Sequence, residues 1–333
     1  MRSARNAPCW CGSGTKLKRC HLDRAALVRP AVQLGVVGPL REVPAGIARP
    51  HYVDDGAVWP DPVEQILTGS ALDRMRHASR VAAEVLATTC AAVAPGVTTD
   101  ELDQIAHQAY IDLGAYPSTL GYHDFPKSLC TSVNEVVCHG IPDSRPLQDG
   151  DIVNLDVTAF IDGMHGDTSA TIGVGAISAK VAALIDTTRD ATLAGIAAIR
   201  PGEPMQHIAR AITAVADARG YGVVSEYGGH GIGEIFHADP HVHHTITSQD
   251  HSIAVPGLCV TVEPMLRTGG PRFSTADDGW TEILDDTMPS AQFEHTVVVT
   301  DVGAEILTVL ADGTSAVSPA PATGATTGAT TVR

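Results

Sequence analysis

Two aspartates between residues 151 and 169 are spaced so that they could share a cation. The stretch reads DIVNLDVTAFIDGMHGDTS, and Asp162–Gly163 between two alternating runs predicts a β-hairpin with a two-residue turn. In that register Thr158 lies opposite Asp167, and Asp156 shares one face with Asp167 as its diagonal neighbour. Carboxylates this close repel each other unless a proton or a cation lies between them, so the hairpin suggests a divalent metal. For the pair alone, two solvated aspartates on an open sheet face are the favoured alternative.

Three residues in the second half of the chain add ligands of the same kinds. His230 lies among glycines in GGHGIGEIFH, and glycine permits a close-approaching backbone that can aim an imidazole into a cavity. Glu263 ends a predicted strand in VTVEP, and Glu294 lies inside the apolar strand QFEHTVVVT. A glutamate is rarely buried there without a partner. Two aspartates, two glutamates and one histidine together predict a carboxylate-rich site for two divalent cations.

Helices and strands of an α/β body must position these side chains. Apolar residues between Leu72 and Leu86 recur at helical spacing, and Pro95–Gly96 stops that helix. Thr98 and Glu101 form a capping box that predicts a second helix. β-rich stretches follow, among them the hairpin.

The second half of the chain repeats this order of elements. An Ala-rich helix is predicted from about residue 180 to 199; Pro201–Gly202 stops it, and another helix ends at Gly220. Strands follow in GLCVTVEP and QFEHTVVVT. Because Pro-Gly is a common helix terminator, chance and an internal duplication explain the repeat equally well.

The composition narrows the class of protein. The 333 residues include 44% hydrophobic residues and carry a net charge of -16, which allows a substantial core and argues against non-specific nucleic-acid binding. The N-terminus has no apolar segment typical of a secretory signal, and no run of about 18 apolar residues occurs. Seven cysteines without even spacing favour a reducing compartment. We therefore expect a cytoplasmic protein that does not contact membranes.

Composition also divides the chain into four segments. Residues 1–24 are rich in Cys and His, and residues 25–62 hold six prolines and several glycines, typical of an extended linker on or beside the main domain. Residues 63–312 form the α/β body. Residues 313–333 are small and polar, which predicts a disordered tail.

Five runs in this body match one protein family in order and spacing. They are GYHDFPKSLCTSVNEVVCHGIP, GDIVNLDVTAFIDGMHGDTS, GGHGIGEIFH, PGLCVTVEP and SAQFEHTVVVT. Over about residues 64–310 the chain resembles the type I methionine aminopeptidases, M24 metallopeptidases of the pita-bread fold. The resemblance implies a mixed α/β (α+β) fold with pseudo-twofold internal symmetry. It also implies hydrolytic removal of the initiator methionine from nascent proteins when the second residue is small.

Position by position, the resemblance assigns a role to each matching residue. Asp167 and Glu294 would bridge two ions, which could be Co, Mn, Fe, Zn or Mg, and Glu263 would also be a candidate proton shuttle. His139 and His237 would be catalytic histidines that bind substrate without binding metal. The metal ligands would be Asp156, Asp167, His230, Glu263 and Glu294. The methionine side chain would contact Tyr122, His123, Phe125, Cys130, Phe236 and Trp280.

The implied chemistry is hydrolysis at a two-metal site. The ions would share a water and lower its pKa, so that a bridging hydroxide attacks the scissile carbonyl. His237 and one metal would stabilise the oxyanion, and His139 would hydrogen-bond near the scissile amide. A free α-amine that binds one ion would restrict cleavage to the first residue. An aromatic pocket with a cysteine suits a thioether, although core packing is the alternative for each aromatic taken singly.

The N-terminal run PCWCGSGTKLKRCH predicts a second, structural metal site. It resembles the SEC-C motif, and its spacing suits tetrahedral zinc; four reduced residues on a flexible arm are the alternative. Lys16, Lys18 and Arg19 make this unit basic, which suggests docking to the ribosome near the emerging peptide. We otherwise expect a monomer. The structural zinc ligands would be Cys9, Cys11, Cys20 and His21.

Other enzyme classes fit the sequence less well. It has no G-x-S-x-G and no H-E-x-x-H, the signatures of α/β-hydrolases and zincins. A prolidase or proline-specific aminopeptidase has the same five ligands but usually carries a large extra N-terminal domain. A type II methionine aminopeptidase carries a helical insertion for which residues 237–263 leave no room, and non-catalytic relatives lose ligands that are all present here.

Two features have no assigned role. Asp124 stands in GYHDFP, where the family commonly has a small residue. The HVHH cluster of His241, His243 and His244 is interpreted as a surface loop.

Overall fold

The computed structural model describes residues 6–9, 14–20, 23, 27, 31–56, 64 and 66–315. These residues form a mixed α/β fold, as the sequence predicts, in which helices pack on a large antiparallel sheet. None of the helices in these ranges has both the length and the apolar composition that a membrane crossing requires. The helices are α1 His51–Asp55, α2 Gly69–Ala91, α3 Thr99–Asp112, α4 Ala179–Ala197 and α5 Gln206–Arg219.

The strands form two sheets within the described part of the chain. The large sheet follows the order β1-β4-β5-β13-β9-β7-β8, with β2 on β4, β14 and β10 on β13, and β6 on β10. The small sheet follows the order β11-β12-β3. The strands are β1 Tyr116–Pro117, β2 Cys130–Val133, β3 Val136–Cys138, β4 Ile152–Ile161, β5 Met164–Gly173, β6 Gly222–Val223, β7 Gly229–Gly231, β8 Ala238–Val242, β9 Cys259–Val262, β10 Met265–Arg267, β11 Phe273–Thr275, β12 Glu282–Leu284, β13 Ser290–Val299 and β14 Ala304–Ile306.

The predicted hairpin is confirmed residue by residue. Strands β4 and β5 pair with Thr158 opposite Asp167 and Asp156 opposite Ser169. Asp162 takes the left-handed backbone conformation that such a turn requires, with φ 54°. The register therefore places Asp156 and Asp167 on one face of the sheet.

The helices begin and end where local chemistry indicates. The capping box at α3 is confirmed, because Glu101 N donates to Thr98 Oγ1 at 3.1 Å and Thr98 N donates to Glu101 Oε2 at 2.7 Å. Helix α2 lies directly on the hairpin. A Cβ at Gly166 would come within 2.4 Å of the Ala78 backbone, so glycine at this position lets the helix approach the strands. Helices α4 and α5 repeat the two-helix arrangement in the second half, and α5 ends at Gly220 with φ 80°.

The N-terminal strap, residues 31–56, packs on the body along most of its length. It was predicted as an extended linker, and residues 31–50 have no regular structure, but residues 51–55 form α1. Arg41 Nε lies 2.6 Å from Asp103 Oδ2, and its guanidinium also reaches Asp100 at 3.0 Å. The fully buried Lys127 pairs with Asp100 at 2.5 Å. The two Arg41 ion pairs fix the strap to α3, and the Lys127 pair joins the segment before β2 to the same helix.

The C-terminal end of the described chain still bonds to the body. Leu310 N donates to Thr314 O at 2.9 Å, and Ser315 Oγ lies 2.9 Å from His295 Nε2. Of the predicted tail, residues 316–333 lie outside the described residues.

Replacement of Arg41 tests how strongly the strap is held. Arg41→Ala leaves the buried Asp103 carboxylate without its nearest cation, so we expect the free energy of unfolding to fall by about 2 kcal/mol in urea titrations. Arg272→Ala is the control, because Arg272 is 85% exposed and its ion pair with Asp285 should contribute less than about 0.5 kcal/mol. Equal effects of the two changes would contradict the assignment.

Candidate active site

One cavity of about 490 Å³ brings together every residue predicted for catalysis, active-site metal binding and methionine binding. Its volume is in the range of sites that enclose small ligands. The two halves of the chain both contribute to its walls. The predicted residues that line it are Tyr122, His123, Phe125, Cys130, His139, Asp156, Asp167, His230, Phe236, His237, Glu263, Trp280 and Glu294.

Neighbouring strands of the large sheet present the five predicted ligands. Asp156 and Asp167 come from the β4–β5 hairpin, and Glu294 comes from β13, where it pairs with Ser169 of β5. Glu263 directly follows β9, which pairs with the other edge of β13. Because these strands are adjacent, residues about 140 positions apart in sequence meet on one face.

Two glycines set the position of His230. A Cβ at Gly229 would lie 2.2 Å from Thr261 O, and a Cβ at Gly231 would lie 2.0 Å from Asp239 O. Only glycine therefore fits between β8 and β9 at these positions, and the imidazole of His230 turns toward the cavity. This agrees with the role that the sequence suggested for the glycines.

The centre of the cavity has the donor atoms of a metal site. One ligand atom each of Asp167, His230 and Glu294 lies within 4.8 Å of the others. His230 Nε2 is 3.6 Å from Glu263 Oε1 and 3.8 Å from Asp167 Oδ2. His230 Nδ1 lies 3.0 Å from Gly231 O, a geometry in which Nδ1–H donates and the Nε2 lone pair faces the carboxylates. Backbone bonds of this kind orient metal-binding histidines, so the donor set fits divalent cations.

Burial and mutual repulsion raise the carboxyl pKa values. Burial raises the pKa of Asp156 to about 7 and that of Glu263 to about 8. Burial, followed by the charges of the neighbouring carboxylates, raises the pKa of Asp167 and Glu294 well above the ordinary range. Ionisation of this buried cluster is therefore costly, and a bound cation would stabilise its ionised form.

Hydroxyl and amide groups that the sequence interpretation missed hold the carboxylates in place. Thr158 Oγ1 donates to Asp167 Oδ1 at 2.8 Å, and Thr261 Oγ1 donates to Glu263 Oε1 at 2.6 Å. Gln292 Nε2 donates to Glu263 Oε2 at 3.2 Å. The hairpin register already placed Thr158 opposite Asp167, which was the available signal for the first of these contacts.

Two neutral imidazoles face the cavity beside the carboxylates. Desolvation lowers the pKa of His237 well below its ordinary value and also lowers the pKa of His139. His237 Nδ1 lies 3.0 Å from Tyr122 Oη. His139 has a left-handed backbone, with φ 56°, and its ring stands edge-on to Tyr227 and Trp280 at centroid distances of 5.4 and 5.8 Å. Tyr227 is a further cavity residue that the sequence did not indicate.

An apolar recess opens beside the carboxylates. Phe125, Cys130 and Ile141 form a buried cluster against which Trp280 packs. The rings of Phe125 and Trp280 meet edge to face at a centroid distance of 5.1 Å. The recess is therefore lined by aromatic carbon and one thiol, and its walls pack against each other.

The interpretation of the HVHH cluster as a surface loop was wrong for His244. His244 is 2% exposed, and its Nε2 accepts a hydrogen bond from Glu263 N at 3.2 Å. His241 is exposed on strand β8, whose residues alternate between buried and exposed, and it also lines the cavity. Asp124 is exposed, with φ 66°, beside the cavity residue His123.

Comparison with known proteins identifies the family to which most of the chain is similar. Residues 73–301 match metallopeptidase family M24. The chain belongs to this family. It is 50% identical over 282 residues to methionine aminopeptidase 2 of Mycobacterium tuberculosis, covering 85% of this chain and 99% of that protein. It is 45% identical over 287 residues to the mitochondrial methionine aminopeptidase 1D of Danio rerio, covering 86% of this chain and 83% of that protein.

Solved structures confirm the pita-bread fold expected from the motifs. The methionine aminopeptidase of Rickettsia prowazekii superposes with a TM-score of 0.72 at 42% identity, covering 74% of this chain and all of that one. Within family M24 the chain thus groups with the methionine aminopeptidases, so the predicted metalloaminopeptidase and hydrolase class is confirmed. Divalent metal ions are the cofactors that this family implies.

The N-terminal zinc prediction is only partly within the described chain. Residues 5–23 match the SEC-C motif. Cys9 is buried, and its amide donates to Thr15 O at 2.8 Å, while Cys20 N donates to Leu17 O at 3.1 Å. Cys11 and His21 lie outside the described residues, so the four-ligand zinc site stays a prediction.

The raised carboxyl pKa values predict how stability depends on pH and metal. Unfolded Asp and Glu have pKa values near 4, so from about pH 4 to 8 the folded metal-free protein holds protons at Asp156 and Glu263 that the unfolded chain releases. Its free energy of unfolding should therefore fall as the pH rises from 6 to 8. A divalent ion replaces those protons, so the gain in stability on adding Mn²⁺ should be larger at pH 8 than at pH 6. Thermal unfolding with chelator and with Mn²⁺ at both pH values measures this.

A ligand variant provides the control for that measurement. In the Asp167→Asn variant, most of the gain in stability that Mn²⁺ gives at pH 8 should be lost. An equal gain at both pH values in the unaltered protein would contradict the carboxylate assignment.

Proposed function

We propose that this protein hydrolyses the first peptide bond of new polypeptides that begin with methionine and have a small second residue. The observation that carries the proposal is the single cavity in which five carboxylate and imidazole ligands adjoin an apolar recess. The ligands account for hydrolysis, and the recess accounts for the choice of side chain. The catalytic body would be residues 63–312.

Two divalent ions would be held by the five ligands, Asp167 and Glu294 among them. When bound, these ions supply the Lewis acidity that activates a water and polarises the scissile carbonyl. The types of ligand present suit Co, Mn, Fe, Zn and Mg. Asp156, His230 and Glu263 would complete the set, and the hydroxyls of Thr158 and Thr261 hold two of the carboxylates in one orientation.

His237 would stabilise the negative charge that develops on the substrate carbonyl oxygen. Its Nδ1 pairs with the Tyr122 hydroxyl, and within the described residues its Nε2 has no hydrogen-bond partner. A neutral ring that accepts from Tyr122 at Nδ1 presents Nε2–H to the cavity as a donor. A hydrogen-bond partner on one ring nitrogen determines whether the other nitrogen carries the proton.

His139 and Glu263 would act on the scissile amide. His139 is held between two aromatic rings at the cavity wall, where it can hydrogen-bond the substrate backbone. Glu263 would also be the proton shuttle, since its carboxylate lines the cavity with Oε1 3.6 Å from His230 Nε2. The Gln292 amide and the Thr261 hydroxyl donate hydrogen bonds to this carboxylate and would hold it in place during the proton transfer.

The recess would bind the methionine side chain. Phe125 and Trp280 offer ring edges and faces to the thioether, and Cys130 adds a polarisable thiol; sulfur–aromatic contacts favour methionine there. Tyr122, His123 and Phe236 would complete the wall. A branched or charged side chain would fit this space less well.

Peptide cleavage by metal-free protein, with each metal added back, tests the function. Release of methionine from a Met-Gly-Met peptide is expected, and an Xaa-Pro peptide should not be cleaved. Asp167→Asn should lower kcat by about 100-fold or more, because the cluster loses a ligand charge. Asp162→Asn makes the same change at the exposed turn of the same hairpin and should leave kcat unaltered. Cleavage of Xaa-Pro but not of Met-Gly would overturn the proposal.

The N-terminal unit would bind one zinc ion and bring the enzyme to nascent chains. We propose that residues 1–24 form this unit, that residues 25–62 connect it to the body, and that the protein acts as a cytoplasmic monomer. Cys20 directly follows the short 3-10 helix Leu17–Arg19, and the basic Lys16, Lys18 and Arg19 are exposed beside it. Basic charge on an otherwise acidic chain suits a ribosomal surface.

Co-sedimentation with ribosomes tests the role of this unit. Cys9→Ser should abolish zinc binding to the unit and lower the ribosome-bound fraction, since the fold of so small a unit depends on its metal. Cys90→Ser, the same change within α2, should alter neither. Unchanged co-sedimentation of Cys9→Ser would remove the docking proposal.

A further inference from the structure

Tyr52 lies in the N-terminal strap, outside the part of the chain that matches family M24, yet its ring packs beneath the cavity. It is 4% exposed, and its hydroxyl donates to Ser118 O at 2.5 Å. Its ring meets Tyr122 edge to face at a centroid distance of 5.1 Å and an angle of 76°. We propose that Tyr52 is a positioning residue, which acts through Tyr122 to fix His237. This inference rests on the proposed function.

The first step is the orientation of Tyr122. Besides Tyr52, the ring of Tyr122 contacts Phe236 at 4.8 Å and lies nearly parallel to His237 at 5.1 Å, with 29° between the planes. These contacts direct its hydroxyl to His237 Nδ1 at 3.0 Å. Residues 122–124 form an irregular turn in which His123 has φ 46°. The backbone there is not a regular element, so the packed Tyr52 ring supplies support that a helix or strand would otherwise provide.

A second chain of ring contacts leads from Tyr52 to the same Tyr122 ring. Tyr52 stacks on His165 at 6.2 Å and 18°, and His165 stacks on Phe236 at 5.2 Å and 9°. His165 Nδ1 also pairs with the hydroxyl of Ser118 at 2.8 Å. Phe236 in turn contacts the Tyr122 ring at 4.8 Å, so Tyr52 supports this ring both directly and through His165 and Phe236.

The consequence is control of the His237 tautomer. A Tyr122 hydroxyl held at Nδ1 donates there and leaves the proton of the neutral ring on Nε2, which faces the cavity. If Tyr122 can tilt, both tautomers become populated and part of the enzyme has no donor for the substrate oxygen. Loss of a donor used in the transition state lowers kcat more than it changes KM.

A double-mutant cycle with metal-loaded enzyme and a Met-Gly-Met peptide tests the coupling. Tyr122→Phe should lower kcat about tenfold, Tyr52→Leu about fivefold, and KM should stay within twofold in both. The double variant should be no slower than Tyr122→Phe, because Tyr52 acts only through that hydroxyl. The inference would be overturned if the losses in kcat multiplied in the double variant, or if Tyr52→Leu had the same kcat as the unaltered protein.

Three further variants separate positioning from stability. Tyr52→Phe keeps the ring and should keep kcat within twofold. Val43→Ala removes buried contact from the same strap, against Tyr116 and Leu120, and should lower the urea midpoint without changing kcat. Tyr52→Met fills the space with a flexible side chain and repeats the test if Tyr52→Leu does not fold.

The nitrogen-15 shifts of His237 in the metal-free protein give a readout that does not depend on activity. One tautomer is expected in the unaltered protein and a mixture in Tyr52→Leu and Tyr122→Phe; identical spectra in all three would reject the inference. If the unaltered protein fails to cleave methionine peptides with every metal, the proposed function fails, and these spectra still decide the role of Tyr52.

Discussion

Electrostatic repulsion among buried carboxylates is the constraint on which the rest of this structure depends. Asp156, Asp167, Glu263 and Glu294 share one cavity; burial raises the pKa of each, and repulsion from neighbouring carboxylates adds to the shift for Asp167, Glu263 and Glu294. Such a cluster is tolerated only if the surrounding fold is stable enough to hold it together without its cations. Asp156, Asp167 and Glu294 lie on antiparallel strands and Glu263 directly follows one, and each of these strands is paired on both sides by backbone hydrogen bonds, which meets this requirement.

The same sheet provides the polar groups that orient the site. Threonine hydroxyls on β4 and β9 hold Asp167 and Glu263, and the Glu263 backbone also donates to His244. The imidazoles stay neutral because desolvation lowers their pKa, so they add donors and lone pairs without adding positive charge. A site built this way leaves its charge balance to the metal ions, which is what a metal-dependent hydrolase requires.

The N-terminal strap shows that chain without regular structure can be integral to a fold. Arg41 binds Asp100 and Asp103 on α3, while Tyr52 enters an aromatic layer under the cavity. Pro- and Gly-rich composition indicates only that a segment cannot form a long helix or strand. Whether it stays solvated or packs depends on the surface it meets, which composition does not describe.

The sequence by itself determined the hairpin register, the capping box of α3, the ends of the main helices and the five candidate ligands. Those features depend on local periodicity, turn residues and motif spacing, which act over a few positions. It did not determine that His244 would be buried against Glu263, that Tyr227 and Gln292 would face the cavity, or that Tyr52 would contact Tyr122. These contacts join residues that are 19 to 88 positions apart in sequence, and no local sequence pattern predicts them. Only the packing of strands and strap into one body decided them, because a side chain's environment is fixed by whatever surface the folded chain brings next to it.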